Sequence, residues 1–150
     1  MAMSSSSARY LPAEWTLPAV NPQNTAFFTN GRNGELSLQR CRRCATTQHP
    51  PEEVCRECQS TDFDYVAVNP TGTVVSYSIV HHPVHPSLRQ VVPYNVVVVS
   101  LDEHPDVRIV GNVIDAEAAD LEVGLPVTCT WAEVAGSDVE SIFLPQWRVR

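Results

Sequence analysis

Alternating apolar and polar residues in the second half of the chain predict a series of β-strands. The segment 94–101 is apolar on both faces, and its many β-branched residues favour a strand over a helix. A run of helix formers over residues 115–123, closed by Gly124, predicts a helical turn. The predicted strands are residues 73–80, 94–101, 107–114, 127–134 and 140–144. Three strands, a helical turn and two strands is the order of an OB barrel.

The first half of the chain has a different pattern. Residues 1–23 are rich in serine and proline, which disfavour regular hydrogen bonding, and we expect them to form a flexible arm. Residues 24–35 predict a short helix with Thr25 as its N-cap and the Asn-Gly pairs at 30–31 and 33–34 at its end. An alternating segment over residues 35–40 then predicts a half-exposed strand that runs into a cysteine.

Four cysteines form two Cys-x-x-Cys pairs, Cys41 with Cys44 and Cys55 with Cys58, with ten residues between the pairs. Thiolates at this spacing suit the two knuckles of a zinc ribbon, in which each pair holds one side of the ion. Four thiolates fill a tetrahedral coordination sphere and leave no position for water or substrate. The pattern therefore predicts a structural zinc site, and a pair of disulfides is the alternative.

The choice between zinc and disulfides depends on the compartment. The first twenty residues have no basic start followed by an apolar run, which a secretory signal requires. We therefore expect a cytoplasmic protein, in which paired cysteines are more often metal ligands than disulfides. The longest apolar stretch, around residues 96–101, is far shorter than the ~20 residues of a membrane span, so no membrane partner is expected.

These patterns divide the chain into four parts. A flexible arm over residues 1–23 and a helix over 24–35 precede a zinc ribbon over 36–65 and a five-stranded OB-fold domain over 66–150. The predicted fold class is mainly β.

Charge bears on the class of partner. All ten basic residues are arginines, and seventeen carboxylates give a formal net charge of -7. Such a balance disfavours nucleic acid, whose phosphates would be repelled. A single-stranded nucleic-acid binder nevertheless stays open as the rival hypothesis, because zinc ribbons and OB barrels both serve that role elsewhere.

The order of short motifs resembles a bacterial and archaeal family that joins an N-terminal helix and a rubredoxin-like zinc ribbon to a C-terminal OB domain. The resemblance begins near Phe27, and its two Cys-x-x-Cys pairs match the family pattern. The other matching motifs are Gly34-Glu35-Leu36, Leu38-Gln39-Arg40, Pro50-Pro51, Gly72-Thr73-Val74, Ser76-Tyr77, Val80-His81, Pro93-Tyr94, Leu101-Asp102-Glu103 and Gly124-Leu125-Pro126-Val127. Two positions depart from it, because Ala45 stands where glycine is usual and His49 where an aromatic residue is common.

The resemblance implies an accessory role beside acyl-CoA enzymes. Members of the family are partner subunits of thiolase-superfamily enzymes, including lipid-transfer-type thiolases and aldolases of steroid side-chain breakdown, or are joined to hotdog-fold enoyl-CoA hydratases. The expected partners are therefore a thiolase-fold protein, a hotdog-fold hydratase and acyl-CoA. We expect the chain not to be catalytic alone, and a pure scaffold that never touches the ligand is the alternative.

Several side chains are candidates for contacts with ligand or partner. Arg40, Arg42 and Arg43 lie beside the first knuckle, where they would either offset the charge of a zinc tetrathiolate or bind a coenzyme A phosphate. His81, in the loop after the first barrel strand, is a candidate for the coenzyme A-binding surface, with a partner surface as the alternative. The apolar candidates for a partner contact are Phe27, Phe28 and Trp147, with core packing as the alternative. Cys129 alternates with apolar residues and predicts a buried thiol rather than a nucleophile.

Overall fold

The structure, a computed structural model, describes residues 17–134 and 142–150. Residues 1–16 of the predicted arm lie outside this range. The described chain contains one α-helix, α1 (Thr25–Arg32), and two short 3-10 helices, Pro86–Leu88 and Ala118–Asp120. The strands are β1 (Ser37–Cys41), β2 (Thr47–Gln48), β3 (Phe63–Ala67), β4 (Thr71–Val80), β5 (Tyr94–Leu101), β6 (Arg108–Gly111), β7 (Pro126–Val134) and β8 (Ile142–Val149).

The first three strands form a small antiparallel sheet with the order β2-β1-β3. Its central strand is paired on both edges, with Gln39 opposite Gln48 on one side and Tyr65 on the other. β1 ends at Cys41, which lies opposite Phe63, the first residue of β3. This sheet therefore presents the first cysteine pair at one end.

The other five strands form an antiparallel sheet with the order β6-β5-β4-β7-β8. Its ends approach each other where Val113, just after β6, makes a parallel bridge with Trp147 of β8. Two backbone hydrogen bonds hold this closure, from Ile114 N to Trp147 O (3.0 Å) and from Trp147 N to Asn112 O (2.8 Å). The predicted mainly β fold, with an N-terminal helix, a cysteine cluster and a nearly closed five-stranded barrel, is confirmed.

Two strands differ in extent from the prediction. The last strand runs from Ile142 to Val149 rather than over residues 140–144, whose first two positions lie outside the described range. Pro145 lies opposite Trp131 in a pairing that continues to Val149. The third strand is shorter than predicted because the chain leaves the ladder at Gly111, where an added Cβ would lie 2.8 Å from Trp147 Nε1.

The N-terminal helix also differs at both of its ends. The N-cap position is Asn24, and the Thr25 hydroxyl instead donates to the Asn21 carbonyl oxygen at 2.6 Å. The helix continues through Gly31, which packs against Trp131 so closely that an added Cβ would be only 2.5 Å from the ring. It ends before Gly34, which adopts a left-handed φ of 76°.

The small sheet and the barrel share one hydrophobic core. Leu36 and Leu38 from the cysteine-bearing half are at most 1% exposed and belong to the same cluster as Val74, Val97 and other barrel residues. Phe27 of α1 joins this cluster, so the helix fastens the two sheets from one side. None of the described helices is long and apolar enough to cross a lipid bilayer.

Candidate metal centre

The two cysteine pairs lie on two turns of the same local shape. Cys41 N donates to Thr46 O, and Ala45 N donates back to Cys41 O, each at 2.9 Å. The second turn repeats this pattern around Cys55, with Cys55 N on Ser60 O and Gln59 N on Cys55 O. Residues 45 and 59 both adopt left-handed backbone conformations, with φ of 62° and 59°. This explains why glycine is usual at position 45 in the family it resembles, since glycine adopts that conformation without strain.

The four sulfur atoms converge between these turns. All four Sγ atoms lie within 4.8 Å of one another, with 3.5 Å between Cys41 and Cys58 and 3.6 Å between Cys44 and Cys55. A tetrahedral zinc ion with Zn–S bonds of about 2.3 Å requires sulfur separations of about 3.8 Å, whereas a disulfide requires about 2.05 Å. The donor set therefore fits zinc and not two disulfides. The predicted structural zinc cofactor is confirmed.

The surroundings of Cys44 favour its metal-binding thiolate form even though this residue is exposed. Its pKa is lowered to about 6, chiefly by the Thr46 hydroxyl, which lies 3.2 Å from Cys44 Sγ, and by the Thr46 backbone N–H. A thiolate is the form that binds zinc, so this contact favours the ligand state near neutral pH.

A buried pair of glutamines supports the second turn, and sequence reasoning missed it. The Gln48 side chain donates to Gln39 Oε1 at 2.8 Å, and Glu52 N donates to the same oxygen at 3.0 Å. Arg56 N in turn donates to Gln48 Oε1. These bonds tie the loop between the cysteine pairs to β1 and β2. Single glutamines in strands carry no signal for such a network, because it depends on cross-strand register.

The arginines beside the first knuckle are matched by aspartates on β3 and the residues before it. Arg40 makes a bidentate pair with Asp64, at 3.0 and 2.7 Å, and its guanidinium lowers the pKa of that carboxyl. Arg42 Nε lies 3.8 Å from an Asp62 oxygen and 3.9 Å from Asp64. Within the described ranges, Arg43 has no carboxylate within 4.0 Å. Arg43 is therefore the arginine of this group that is most available to an external anion.

The structure does not bring His81 to these arginines. Arg40 lies opposite Thr47 of β2, and Thr47 contacts His104 in the β5–β6 loop, next to the first residues of β4. His81 follows the last residue of β4, and the eight steps from Gly72 to Val80 span about 26 Å of strand. The arginines and His81 therefore lie toward opposite ends of β4, and contact of each with a ligand stays a prediction.

The predicted partner residues separate into core and surface. Trp147 is 0% exposed and Phe27 is 4% exposed, and both belong to the hydrophobic cluster. Both therefore have the core packing that was the alternative to a partner contact, because barrel closure and the packing of α1 bury them. Phe28 is half-buried on the edge of the same cluster and stays a candidate for partner contact.

Cys129 and Asp102 both make contacts that support the fold. Cys129 was expected to be buried; it is partly buried against the core, and this burial raises the pKa of its thiol to about 12. Asp102 pairs with Arg150 at 3.1 Å and accepts a hydrogen bond from the Thr73 hydroxyl. These contacts fasten the end of β8 to the start of β4.

His49 gives the protein a predictable dependence on pH. Its ring packs 5.0 Å from the Phe27 ring, and burial lowers the pKa of His49 to about 4 from a usual 6.5. Between pH 6.5 and pH 4, His49 is therefore protonated in the unfolded chain but neutral in the folded one. The free energy of unfolding falls as the pH falls through this range. At about 1.4 kcal/mol per pKa unit, the loss is about 3 kcal/mol.

We expect His49→Phe to remove this acid-side loss. Urea unfolding at pH 7 and pH 4.5 measures it, and His82→Phe at an exposed position is the matched control. An equal acid-side loss in the His49→Phe and unmodified proteins would contradict the assignment.

A cysteine-knuckle sheet and a nearly closed five-stranded barrel on one core define this chain as a zinc-ribbon and OB-fold protein. Residues 30–64 match the model of the ChsH2 rubredoxin-like zinc ribbon domain, and residues 65–132 match that of the ChsH2 C-terminal OB-fold domain. The chain belongs to the ChsH2-like DUF35 family.

Named relatives fall into two groups. The chain is 37% identical over 128 residues to a Thermomonospora curvata protein named "Probable enoyl-CoA hydratase alpha subunit", and 32% identical over 112 residues to a Mycobacterium tuberculosis 3-oxo-4,17-pregnadiene-20-carboxyl-CoA hydratase alpha subunit. These matches cover 85% and 74% of this chain but only 39% and 34% of those proteins. A Methanocaldococcus jannaschii DUF35 domain-containing scaffold protein is 30% identical, over 63% of this chain and 66% of its own length.

A solved structure matches almost from end to end. One chain of a structure described as "Ltp2-ChsH2(DUF35) aldolase" is 36% identical, with a TM-score of 0.75, and the match covers 89% of this chain and 98% of that one. A Sulfolobus solfataricus DUF35 protein, 15% identical with a TM-score of 0.58, shares the fold.

Proposed function

We propose that this chain is an accessory subunit that assembles with a thiolase-superfamily enzyme, of the lipid-transfer-type thiolase or aldolase class, in the breakdown of steroid side-chain or fatty acyl-CoA thioesters. The observation that carries the proposal is the match to the Ltp2-ChsH2(DUF35) aldolase chain, which covers 98% of that chain. The likeness thus extends over the cysteine-bearing half and the barrel and is not limited to one motif.

The relatives add the substrate class. Two of them are named as alpha subunits of CoA-thioester hydratases, and one of these acts on a steroid side-chain thioester by its name. We therefore include a hotdog-fold hydratase as a second proposed partner and an acyl-CoA as the shared ligand. We propose the cytoplasm as the compartment, because a reducing environment keeps the four cysteines of the metal centre out of disulfides and available to zinc.

Within such a complex, the chain would contribute surface rather than a reacting group. Arg43 is the proposed contact for a phosphate of coenzyme A, because Arg40 and Arg42 are engaged by Asp64 and Asp62. Phe28 is the proposed apolar contact for the partner. If the chain is a scaffold alone, neither side chain touches the ligand.

Copurification of the tagged full-length chain with proteins encoded by neighbouring genes tests the assembly. We expect a thiolase-fold protein in stable stoichiometric complex, and thioester turnover that needs both chains. Full activity of the isolated thiolase-fold protein, together with separate elution of the two chains from a sizing column, would refute the proposed role.

Two variants of the same complex distinguish a chain that contacts coenzyme A from a chain that is only a scaffold. Because a charge-assisted hydrogen bond is worth about 1.5–3 kcal/mol, Arg43→Ala should weaken coenzyme A binding about tenfold or more while zinc content and assembly stay unchanged. Arg89→Ala, an exposed arginine beyond β4, is the matched control. Equal affinity in both variants would support the pure scaffold.

A further inference from the structure

The second half of β4 has one edge that no other described strand occupies. β4 pairs with β5 from Gly72 to Val80. On its opposite edge, β7 pairs only with residues 71–73, and the backbone of residues 124–125 pairs with Val74. Among the described residues, no backbone hydrogen bond reaches residues 75–80 from this side. We call residues 75–80 the open edge.

The open edge is exposed as well as unpaired. Ser76, Tyr77 and Ser78 are all exposed, and Tyr77 has 41% of its surface free. In an antiparallel ladder, alternate residues turn their N–H and C=O groups away from the paired neighbour. The outward groups of the open edge therefore form a template that another strand can join.

The sequence of the open edge lacks the features that keep edge strands apart. Natural edge strands are protected by charged side chains, by proline or by shortness. Residues 75–80 read Val-Ser-Tyr-Ser-Ile-Val, without a charge or a proline, and they have high β propensity. The one irregularity of β4, a register shift between Val74 and Ser76, lies at the start of this segment.

We infer that the open edge is an interface between two copies of this chain, in which β4 pairs antiparallel with β4 of a second copy. A strand that pairs antiparallel with itself generates a twofold axis, so the contact closes as a dimer. A register centred on Tyr77 places Ser76 opposite Ser78 and Val75 opposite Ile79 of the second copy. Polar residues then meet polar ones and apolar residues meet apolar ones, as stable cross-strand pairs require.

Net charge opposes self-association in general, and it favours the open edge only as the place where two copies could meet. Two copies that each carry a formal charge of -7 repel each other over most of their surfaces. Contact is least unfavourable where both surfaces are uncharged, and the open edge is an uncharged segment that meets its own copy in this arrangement. This inference concerns self-association and does not depend on the proposed enzyme partner.

Sedimentation equilibrium of the zinc-loaded full chain over a wide concentration range tests the proposed dimer. We expect a monomer–dimer equilibrium that Ser76→Lys/Ser78→Lys weakens about tenfold or more, because like charges would then face each other across the pair. Thr29→Lys/Gln90→Lys adds the same charge at exposed positions elsewhere and should leave the equilibrium close to that of the unmodified chain. A monomer at all concentrations, or a dimer that both double variants affect alike, would overturn the inference.

Amide hydrogen exchange of the unmodified chain keeps the test decisive if the lysine variant misfolds. Amides of residues 75–80 should be more protected in concentrated than in dilute samples. Equal exchange at both concentrations overturns the dimer. Protection that is seen only after addition of a thiolase-fold protein also overturns it, since the open edge would then accept a strand of that partner.

Discussion

Replacing Cys41 by serine is expected to abolish zinc binding and to unfold the cysteine-bearing half of the protein. Cys41 is fully buried, and its sulfur lies within 4.8 Å of the other three cysteine sulfurs. Zinc binding contributes about 10–16 kcal/mol to the folding of comparable zinc-finger peptides, and three thiolates with one hydroxyl hold the ion far more weakly. The zinc contribution is thus as large as the whole stability of most domains, about 5–15 kcal/mol.

The loss should also spread beyond residues 36–65. Leu36 and Leu38 pack in the same cluster as Val74 and Val97, so an unfolded ribbon uncovers one side of the barrel core. We therefore expect a lower melting temperature for the barrel signal as well as the absence of bound zinc.

Zinc analysis and thermal unfolding monitored by far-UV circular dichroism measure both effects. Cys129→Ser is the matched control, because it makes the same substitution at a cysteine outside the metal cluster. Zinc content and spectrum that Cys41→Ser leaves unchanged would contradict the metal assignment.

Trp147→Ala is expected to cost about 3–5 kcal/mol in the free energy of unfolding, the range of large-to-small core substitutions at tryptophan. Trp147 is 0% exposed, and it lies where β8 meets the segment after β6. Its ring fills the space beside Gly111, where no Cβ would fit. Removal leaves a cavity at the closure of the barrel.

Urea unfolding of the two proteins at neutral pH measures this cost. Val149→Ala, on the same strand but 37% exposed, serves as the control and should cost far less. A cost for Trp147→Ala no larger than that of Val149→Ala would show that the barrel closes without this side chain.

The strand series was predictable because burial on one face leaves a period of two in the sequence. β4, β5 and β7 lie within two residues of their predicted ends, as strongly patterned segments should. The ends of β6 and β8 were not predictable, because Gly111 and Pro145 act through their cross-strand neighbours. The helix was predicted in place, but only the structure shows that it continues through Gly31, where the Trp131 ring leaves no room for a side chain.

The metal centre was predictable from the sequence, whereas the contacts of the residues around it were not. The cysteine spacing is local, since each turn places its two thiols within a few residues, and so the zinc was predictable. The bidentate pairing of Arg40 with Asp64 joins residues 24 positions apart, and it follows from the register of β1 and β3. The burial of Trp147 was not predictable either, because its sequence position gives no sign that two strands close around it.

Sequence alone determined the class of strands, the zinc ligand chemistry and the order of the two halves, because each depends on short-range periodicity or spacing. Tertiary structure decided which arginine is available to an anion, which aromatic residues are buried, that both halves share one core, and that residues 75–80 have an unpaired edge. These properties depend on which distant segments become neighbours. Spacing within one segment does not record those neighbours, since register and closure bring them together only when the chain folds.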